Sequence, residues 1–256
     1  MKRRIFNFII LLFLFLLPSQ AQENYPVLEE GMKFLGKPYV AHVLDRGNTE
    51  QLIVNTNELD CTTFVEYAVA KALCQRVLNP VESFPYFVRD LRYRGGVVDG
   101  YPSRLHYFTE WIQNGINKGY LEDVTYMHSS DSLEINLNFM SSHPDYYRPL
   151  VRNPQDISVI REQEKALSGQ YVRWLPKREL PHEGLHWIQN GDIIALTVKI
   201  PGLDVSHVGI ATYVRGELRL LHASSSKGKV VIENKSLRQM LDDSKNWTGI
   251  RVIRLI

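Results

Sequence analysis

Long apolar runs are scarce in this chain, and only one stands out. It is Ile5-Phe6-Asn7-Phe8-Ile9-Ile10-Leu11-Leu12-Phe13-Leu14-Phe15-Leu16-Leu17, preceded by the basic Met1-Lys2-Arg3-Arg4 and followed by Pro18-Ser19-Gln20-Ala21. The run is short of the roughly 20 residues a spanning helix needs, and no second one follows. Basic start, apolar centre and small residues before a cut after Ala21 are the pattern of a signal peptide, residues 1–21. No cysteine lies at the cut, so nothing supports lipid attachment there. The expectation is an exported, periplasmic protein with no integral membrane span after signal cleavage. An excess of charge is also missing. The formal net charge is +2 and no basic cluster is interleaved with aromatics, so no nucleic acid partner is expected. No internal repeat or low-complexity segment is visible. Residues 22–256 are read as one domain and a monomer, with enough chain for a full core.

Cysteine is the other scarcity: Cys61 and Cys74 are the only two. They fall 13 positions apart on what reads as one helix, about 20 Å by helical rise. A disulfide needs Cα atoms within about 7 Å, so the pair cannot bridge. An exported protein that leaves a thiol unpaired invites a reactive role for it. Cys74 falls near the helix end and reads as packing. Cys61 stands where polar Asn55-Thr56-Asn57-Glu58 gives way to Phe64, Val65, Ala68, Val69, Ala72 and Leu73, an apolar stripe at helical spacing. A thiol at a helix start meets unpaired N–H groups and the positive dipole end, which lower its pKa. A thiolate so placed is a nucleophile awaiting a base.

The remaining pattern has helices first and strands last. Val27 to Leu35 reads as a short helix stopped at Gly36-Lys37-Pro38-Tyr39. Phe87, Leu91 and Tyr93 mark another. Leu105, Phe108, Trp111, Ile112 and Ile116 mark a third with an aromatic face, and Tyr146 to Leu150 and Ile157 to Leu167 mark a further helical stretch. The region of about 80–189 is expected to be an inserted helical cover. After Asn190-Gly191 come β-rich runs at 192–198, 205–214, 218–223 and 230–232, separated by Arg215-Gly216-Glu217 and Lys227-Gly228-Lys229, and Ile250 to Ile256 closes the chain. This is an antiparallel meander, and the whole is α+β.

Two histidines fall in those strands. If 205–214 and 218–223 pair across the turn, facing positions sum to about 432, so His207 faces about Ser225 and His222 lies some three residues along the neighbouring strand. Nucleophilic catalysis needs a nucleophile, a base and a group that holds the base's tautomer, and two imidazoles near an unpaired thiol supply all three. A cysteine at a helix start packed on a sheet that carries a histidine is the papain-type solution.

Gly36-Lys37-Pro38-Tyr39, Asp60-Cys61-Thr62-Thr63-Phe64-Val65, Gly191-Asp192-Ile193-Ile194, Ser206-His207-Val208-Gly209-Ile210 and Leu221-His222-Ala223-Ser224 resemble, in order, the blocks of NlpC-type bacterial cell-wall cysteine peptidases. The resemblance covers 32–76 and 188–232. The middle, with Tyr101-Pro102-Ser103-Arg104-Leu105-His106-Tyr107-Phe108, is similar to the periplasmic N-acetylmuramoyl-L-alanine-amidase-like branch. The resemblance implies a papain-like cysteine peptidase fold, with the antiparallel sheet packed on the nucleophile-bearing helix. It implies Cys61 as nucleophile, His207 as base and His222 as its orienting partner. Tyr39 and the Cys61 N–H would serve the oxyanion, and Asp60 occupies the position that meets a peptide amine in relatives. Where relatives carry Ser-Gly after the cysteine, this chain has Thr62-Thr63, which favours an N-linked alanine over a free amino end. Arg104 and His106 are candidates to line a substrate groove.

The implied activity is hydrolysis of an amide bond in peptidoglycan, either muramic acid–L-alanine or a stem-peptide bond, with the γ-D-glutamyl–diamino-acid endopeptidase as the alternative. The resemblance implies no cofactor. One competing motif is His182-Glu183-Gly184-Leu185-His186, the H-E-x-x-H pattern of zinc peptidases, which requires a helix to present both imidazoles on one face. Gly184 and Asn190-Gly191 work against that helix, and no third ligand stands at a diagnostic spacing. A non-catalytic peptidoglycan binder on the same fold is the other rival, and it has no need of Cys61, His207 and His222 together.

Overall fold

The structure, a computed structural model, describes residues 25–256. The expected signal peptide, residues 1–21, lies outside the described residues. Helices occupy Pro26–Met32 (α1), Cys61–Cys74 (α2), Pro80–Arg92 (α3), Phe108–Asn117 (α4), Val124–His128 (α5), Phe139–Ser142 (α6), Arg148–Arg152 (α7), Asp156–Leu167 (α8) and Leu237–Asp243 (α9). Strands occupy Leu121–Asp123 (β1), Ser132–Glu134 (β2), Tyr171–Arg173 (β3), Leu175–Pro176 (β4), Ile193–Val198 (β5), Val205–Val214 (β6), Glu217–Ser224 (β7), Lys229–Ile232 (β8) and Trp247–Leu255 (β9). No helix among the described residues is long and apolar enough to cross a membrane.

The fold is α+β. The main sheet runs β1-β9-β5-β6-β7-β8, antiparallel throughout, and β4 also pairs with β9. The β6–β7 hairpin sets its register. Arg215 and Gly216 both have positive φ, 53° and 81°, as a two-residue type I′ turn demands, and Val214 faces Glu217 across it. Facing positions then sum to 431, as in Ile210↔Leu221, one residue from the expected register. The last strand does more than close the chain: β9 lies between β1 and β5.

Alternation along the strands divides the core in two. Val208, Ile210, Leu221, Ala223 and Val230 face α2, packing with Phe64, Val65 and Ala68. Leu196, Ala211, Leu218 and Leu220 face the other way, against Leu237 and Leu241 of α9. That short helix carries an N-cap, Ser236, whose side chain accepts from the Gln239 N–H. Its seven residues are too few for the sequence pattern to mark it.

The middle of the chain departs from the expected helical cover. Phe87, Val88 and Leu91 of α3 and Phe108, Trp111 and Ile112 of α4 enter the same core as α2. β1 and β4 extend the main sheet, and β2 and β3 form a separate ribbon. Strands of two or three residues are too short to display a period of two. The region also builds a small core of its own from Tyr107, Ile135, Leu137, Leu150 and Ile160.

Candidate active site

α2 starts where it does because of Asp60. The Asp60 carboxylate accepts from the Thr63 N–H at 2.8 Å and from the Thr63 hydroxyl at 2.9 Å, and the Asp60 N–H donates to Thr63 Oγ1 at 2.9 Å. This reciprocal cap makes Cys61 the first helical residue. It also engages Asp60, the expected amine-binding position, in holding the helix. Thr63 is fully buried within the cap. Of the two threonines that replace the smaller pair of relatives, only Thr62 is directed at the thiol, through its hydroxyl and N–H.

The Cys61 thiol meets the sheet at the backbone N–H of Val208, the residue after His207. β6 pairs with β5 from Val205 onward but with β7 only from Ile210 onward. The edge at His207 and Val208 is therefore open toward β7, and the helix start closes on that opening. The dipole argument anticipated a lowered thiol pKa. Instead the thiol is pushed up to about 11, first by burial and then by the negative charge of Asp60. The capping carboxylate thus opposes the very charge the helix end favours. Tyr39 stands beside the pair, held by a bond from its N–H to Gly228 O at 2.9 Å. Its hydroxyl is pushed up to about 12 by burial, then by Cys61 and Asp60, and stays protonated as a donor.

The two imidazoles are joined directly. His207 Nε2 and His222 Nδ1 are 2.6 Å apart, with ring planes at 86°. Burial lowers the His207 pKa to about 3, assisted by His222. Burial also lowers that of His222, while Glu233 opposes it. Beyond the pair, His222 Nε2 lies 3.7 Å from Glu233 Oε2. Trp247 stacks over His207 at 6.1 Å between ring centroids, fixed by its indole N–H bond to Ser206 Oγ at 3.0 Å. The imidazoles open onto a cavity of about 300 Å³, lined also by Ser224, Lys227, Glu233 and Trp247. The site comprises a neutral thiol reached by the β6 backbone at Val208, a neutral imidazole pair on β6 and β7, and a phenol donor beside the thiol.

Arg104 and His106 are occupied elsewhere. Arg104 forms ion pairs with Asp45 at 2.8 Å and Glu50 at 2.7 Å, and its guanidinium lies over the Tyr101 ring. His106 Nε2 faces the Tyr101 carbonyl at 2.9 Å, and burial lowers its pKa to about 3, followed by Arg104. Arg104 does line a second cavity of about 490 Å³, with Asn48, Arg152 and Asp156, but its charge is neutralised there. The His182–His186 segment forms turns rather than a helix, and His182 Nδ1 bonds Ser236 Oγ at 2.6 Å. Among the described residues no three His, Cys, Asp or Glu side chains gather as a metal site. Cys74 is buried at the far end of α2.

Sequence reasoning missed Glu233 and Trp247. For Glu233 a signal existed. His222 faces Val231 across β7–β8, and the Glu233 N–H bonds Leu220 O at 2.8 Å, so Glu233 is two residues along on the face of His222. The β7–β8 register places the carboxylate there.

A family model described as N-acetylmuramoyl-L-alanine amidase-like matches residues 29–250. The crystal structure of an N-acetylmuramoyl-L-alanine amidase from Bacteroides uniformis is 45% identical with a TM-score of 0.88, covering 91% of this chain and 99% of that one. A Bacteroides fragilis protein proposed to be a xylanase is 50% identical with a TM-score of 0.86, covering 89% and 100%. A Legionella pneumophila protein, 22% identical with a TM-score of 0.68 over 90% and 88%, shares the fold alone. No curated protein matches the chain.

Proposed function

Because the chain belongs to the N-acetylmuramoyl-L-alanine amidase-like family, we propose that it is a peptidoglycan amide hydrolase of papain-like type, cutting the muramic acid–L-alanine bond with Cys61, His207 and His222. The observation that carries the reading is that the α2 thiol is reached from β6 by the N–H of Val208, the residue after His207, whose imidazole is joined to that of His222. Since His207 Nε2 is engaged by His222, Nδ1 is the nitrogen left to act as base. With the thiol raised to about 11 and His207 lowered to about 3, the resting pair is neutral. The proton therefore passes to His207 Nδ1 as sulfur attacks the lactyl carbonyl carbon, rather than from a preformed ion pair. The Tyr39 hydroxyl and the N–H of Cys61 at the helix start support the oxyanion. Collapse releases the L-alanine amine, which takes the proton from His207, and leaves a muramoyl thioester on Cys61. Water, deprotonated by His207, then cleaves the thioester and frees the thiol.

A glycoside-cleaving reading, raised by the Bacteroides fragilis neighbour, asks for two free carboxyl groups across a bond. Near the cavity, Asp243 is paired with Lys235 at 2.6 Å and Glu233 faces His222, which favours amide chemistry. An exported, periplasmic monomer acting on peptidoglycan completes the proposal. The test is turnover of defined muropeptides, with and without the sugar, read by product mass. Wild type should release intact stem peptide and cut muramyl substrates tenfold or more faster than free tri- or tetrapeptide. Cys61→Ala should abolish cleavage. Cleavage within the stem, equal for both substrates, would move the assignment to the γ-D-glutamyl–diamino-acid endopeptidase. Activity only on xylo-oligosaccharides would overturn the amidase reading.

A further inference from the structure

We infer that Glu233 is a positioning residue that fixes the tautomers of both imidazoles and so keeps His207 Nδ1 free to accept a proton. The inference rests on the proposed role of His207 as base. It begins with an orphan: His222 Nε2 is buried and makes no hydrogen bond within the described residues. The group facing it is the Glu233 carboxylate, at 3.7 Å, and the two side chains are only 5% and 12% exposed. Glu233 Oε1 is taken by the Asn234 N–H at 2.8 Å, which leaves Oε2 directed at the ring.

An ionised carboxylate only accepts, so the ring nitrogen facing it carries the hydrogen. Neutral His222 is then protonated at Nε2 and bare at Nδ1. The 2.6 Å contact between His222 Nδ1 and His207 Nε2 requires one hydrogen between two nitrogens, so His207 supplies it from Nε2. Neutral His207 is left bare at Nδ1. In the opposite arrangement His222 donates from Nδ1 to His207 Nε2, and His207 carries its hydrogen on Nδ1, where it cannot receive the thiol proton. Removing the carboxylate removes the preference between these two states. The structural arrangement is a diagonal row: Glu233 is two residues along from Val231, the cross-strand partner of His222, so it reaches His222 on one face of β7–β8.

Lys235 is neutralised by Asp243 at 2.6 Å, and Lys227 stands in the exposed turn between β7 and β8. Among the described residues, Glu233 is the carboxylate paired with His222, and His207 is the ring bonded to it. When His207 takes the thiol proton, the pair becomes cationic and Glu233 is the compensating charge. Loss of that charge should move the acid limb of the activity profile to lower pH, because imidazolium is less favoured.

The experiment is ring-nitrogen NMR of ¹⁵N-histidine-labelled protein, with kinetics on a muramyl peptide, for wild type, Glu233→Ala and Glu233→Gln. Wild type should show protonated Nε2 and bare Nδ1 on both rings. Glu233→Ala should mix or reverse the tautomers and lower kcat/KM tenfold or more, chiefly in kcat. Glu233→Gln, whose carboxamide oxygen still presents an acceptor to Nε2, should keep the wild-type tautomers and recover most of kcat, with the acid limb moved down. Unchanged tautomers and kcat/KM in Glu233→Ala would overturn the inference. So would equal loss in both variants with wild-type tautomers, which is the signature of a merely structural role. Full activity of Cys61→Ala would instead refute the proposed chemistry, while the ring-nitrogen signals would still report on Glu233.

Discussion

Asp60 carries two effects of opposite value, and separating them tests how α2 prepares its thiol. As N-cap it satisfies the Thr63 N–H and hydroxyl, and as a charge it is the second cause, after burial, of the high Cys61 pKa. Asp60→Ala removes both. Losing a cap costs about 1 kcal/mol. Thr63 is fully buried, and stranding its donors raises the loss toward about 2 kcal/mol. For a chain of this size that is a fall in Tm of about 4–8 °C. Asp60→Asn keeps an oxygen acceptor of equal capping rank and removes only the charge, so its stability should stay within about 0.5 kcal/mol of wild type. In both variants the Cys61 pKa should fall below its value of about 11. The assay is the pH dependence of iodoacetamide alkylation at Cys61, alongside thermal melts. A midpoint that stays or rises in Asp60→Asn would refute the electrostatic reasoning, and equal destabilisation by Asn and Ala would refute the cap.

Beneath the site, Glu66 of α2 and Arg92 of α3 form a buried pair at 2.7 Å, with Arg92 also donating to Ile53 O at 2.6 Å. Glu66→Gln should cost about 3–5 kcal/mol by leaving a buried guanidinium uncompensated. The double change to leucine should cost far less, and equal urea midpoints for single and double variants would contradict this. Prolonged EDTA should leave turnover intact, because the His182–His186 segment lacks the helix a zinc site needs. One equivalent of iodoacetamide on Cys61 should abolish turnover, and Cys74→Ala should preserve it. Loss of activity with chelator and rescue by zinc would reverse that reading.

Much of the frame was legible because it is written in local signals. The apolar stripe after Cys61, the Arg215-Gly216 turn and the β-rich runs each state their element through periodicity or a φ requirement. The two imidazoles could be brought together because the hairpin register needs only a turn and a count. What escaped was non-local or brief. Nothing in the order of residues says that β9 enters beside β5, or that β1 and β4 join the sheet. That Arg104 is ion-paired could not be read locally, because its partners Asp45 and Glu50 lie more than fifty positions upstream. The thiol's environment was misjudged for another reason: the dipole of a helix start is visible in sequence, but burial and the competing charge of its own cap are not.

The central claim is a thioester on Cys61, and rapid-quench mass spectrometry of the enzyme with an N-acetylmuramyl peptide tests it directly. The account predicts a transient adduct on the Cys61 peptide with the mass of the muramoyl acyl group, appearing together with free stem peptide. Turnover without any adduct on Cys61, or an adduct carrying a stem-peptide fragment in place of the sugar, would contradict it.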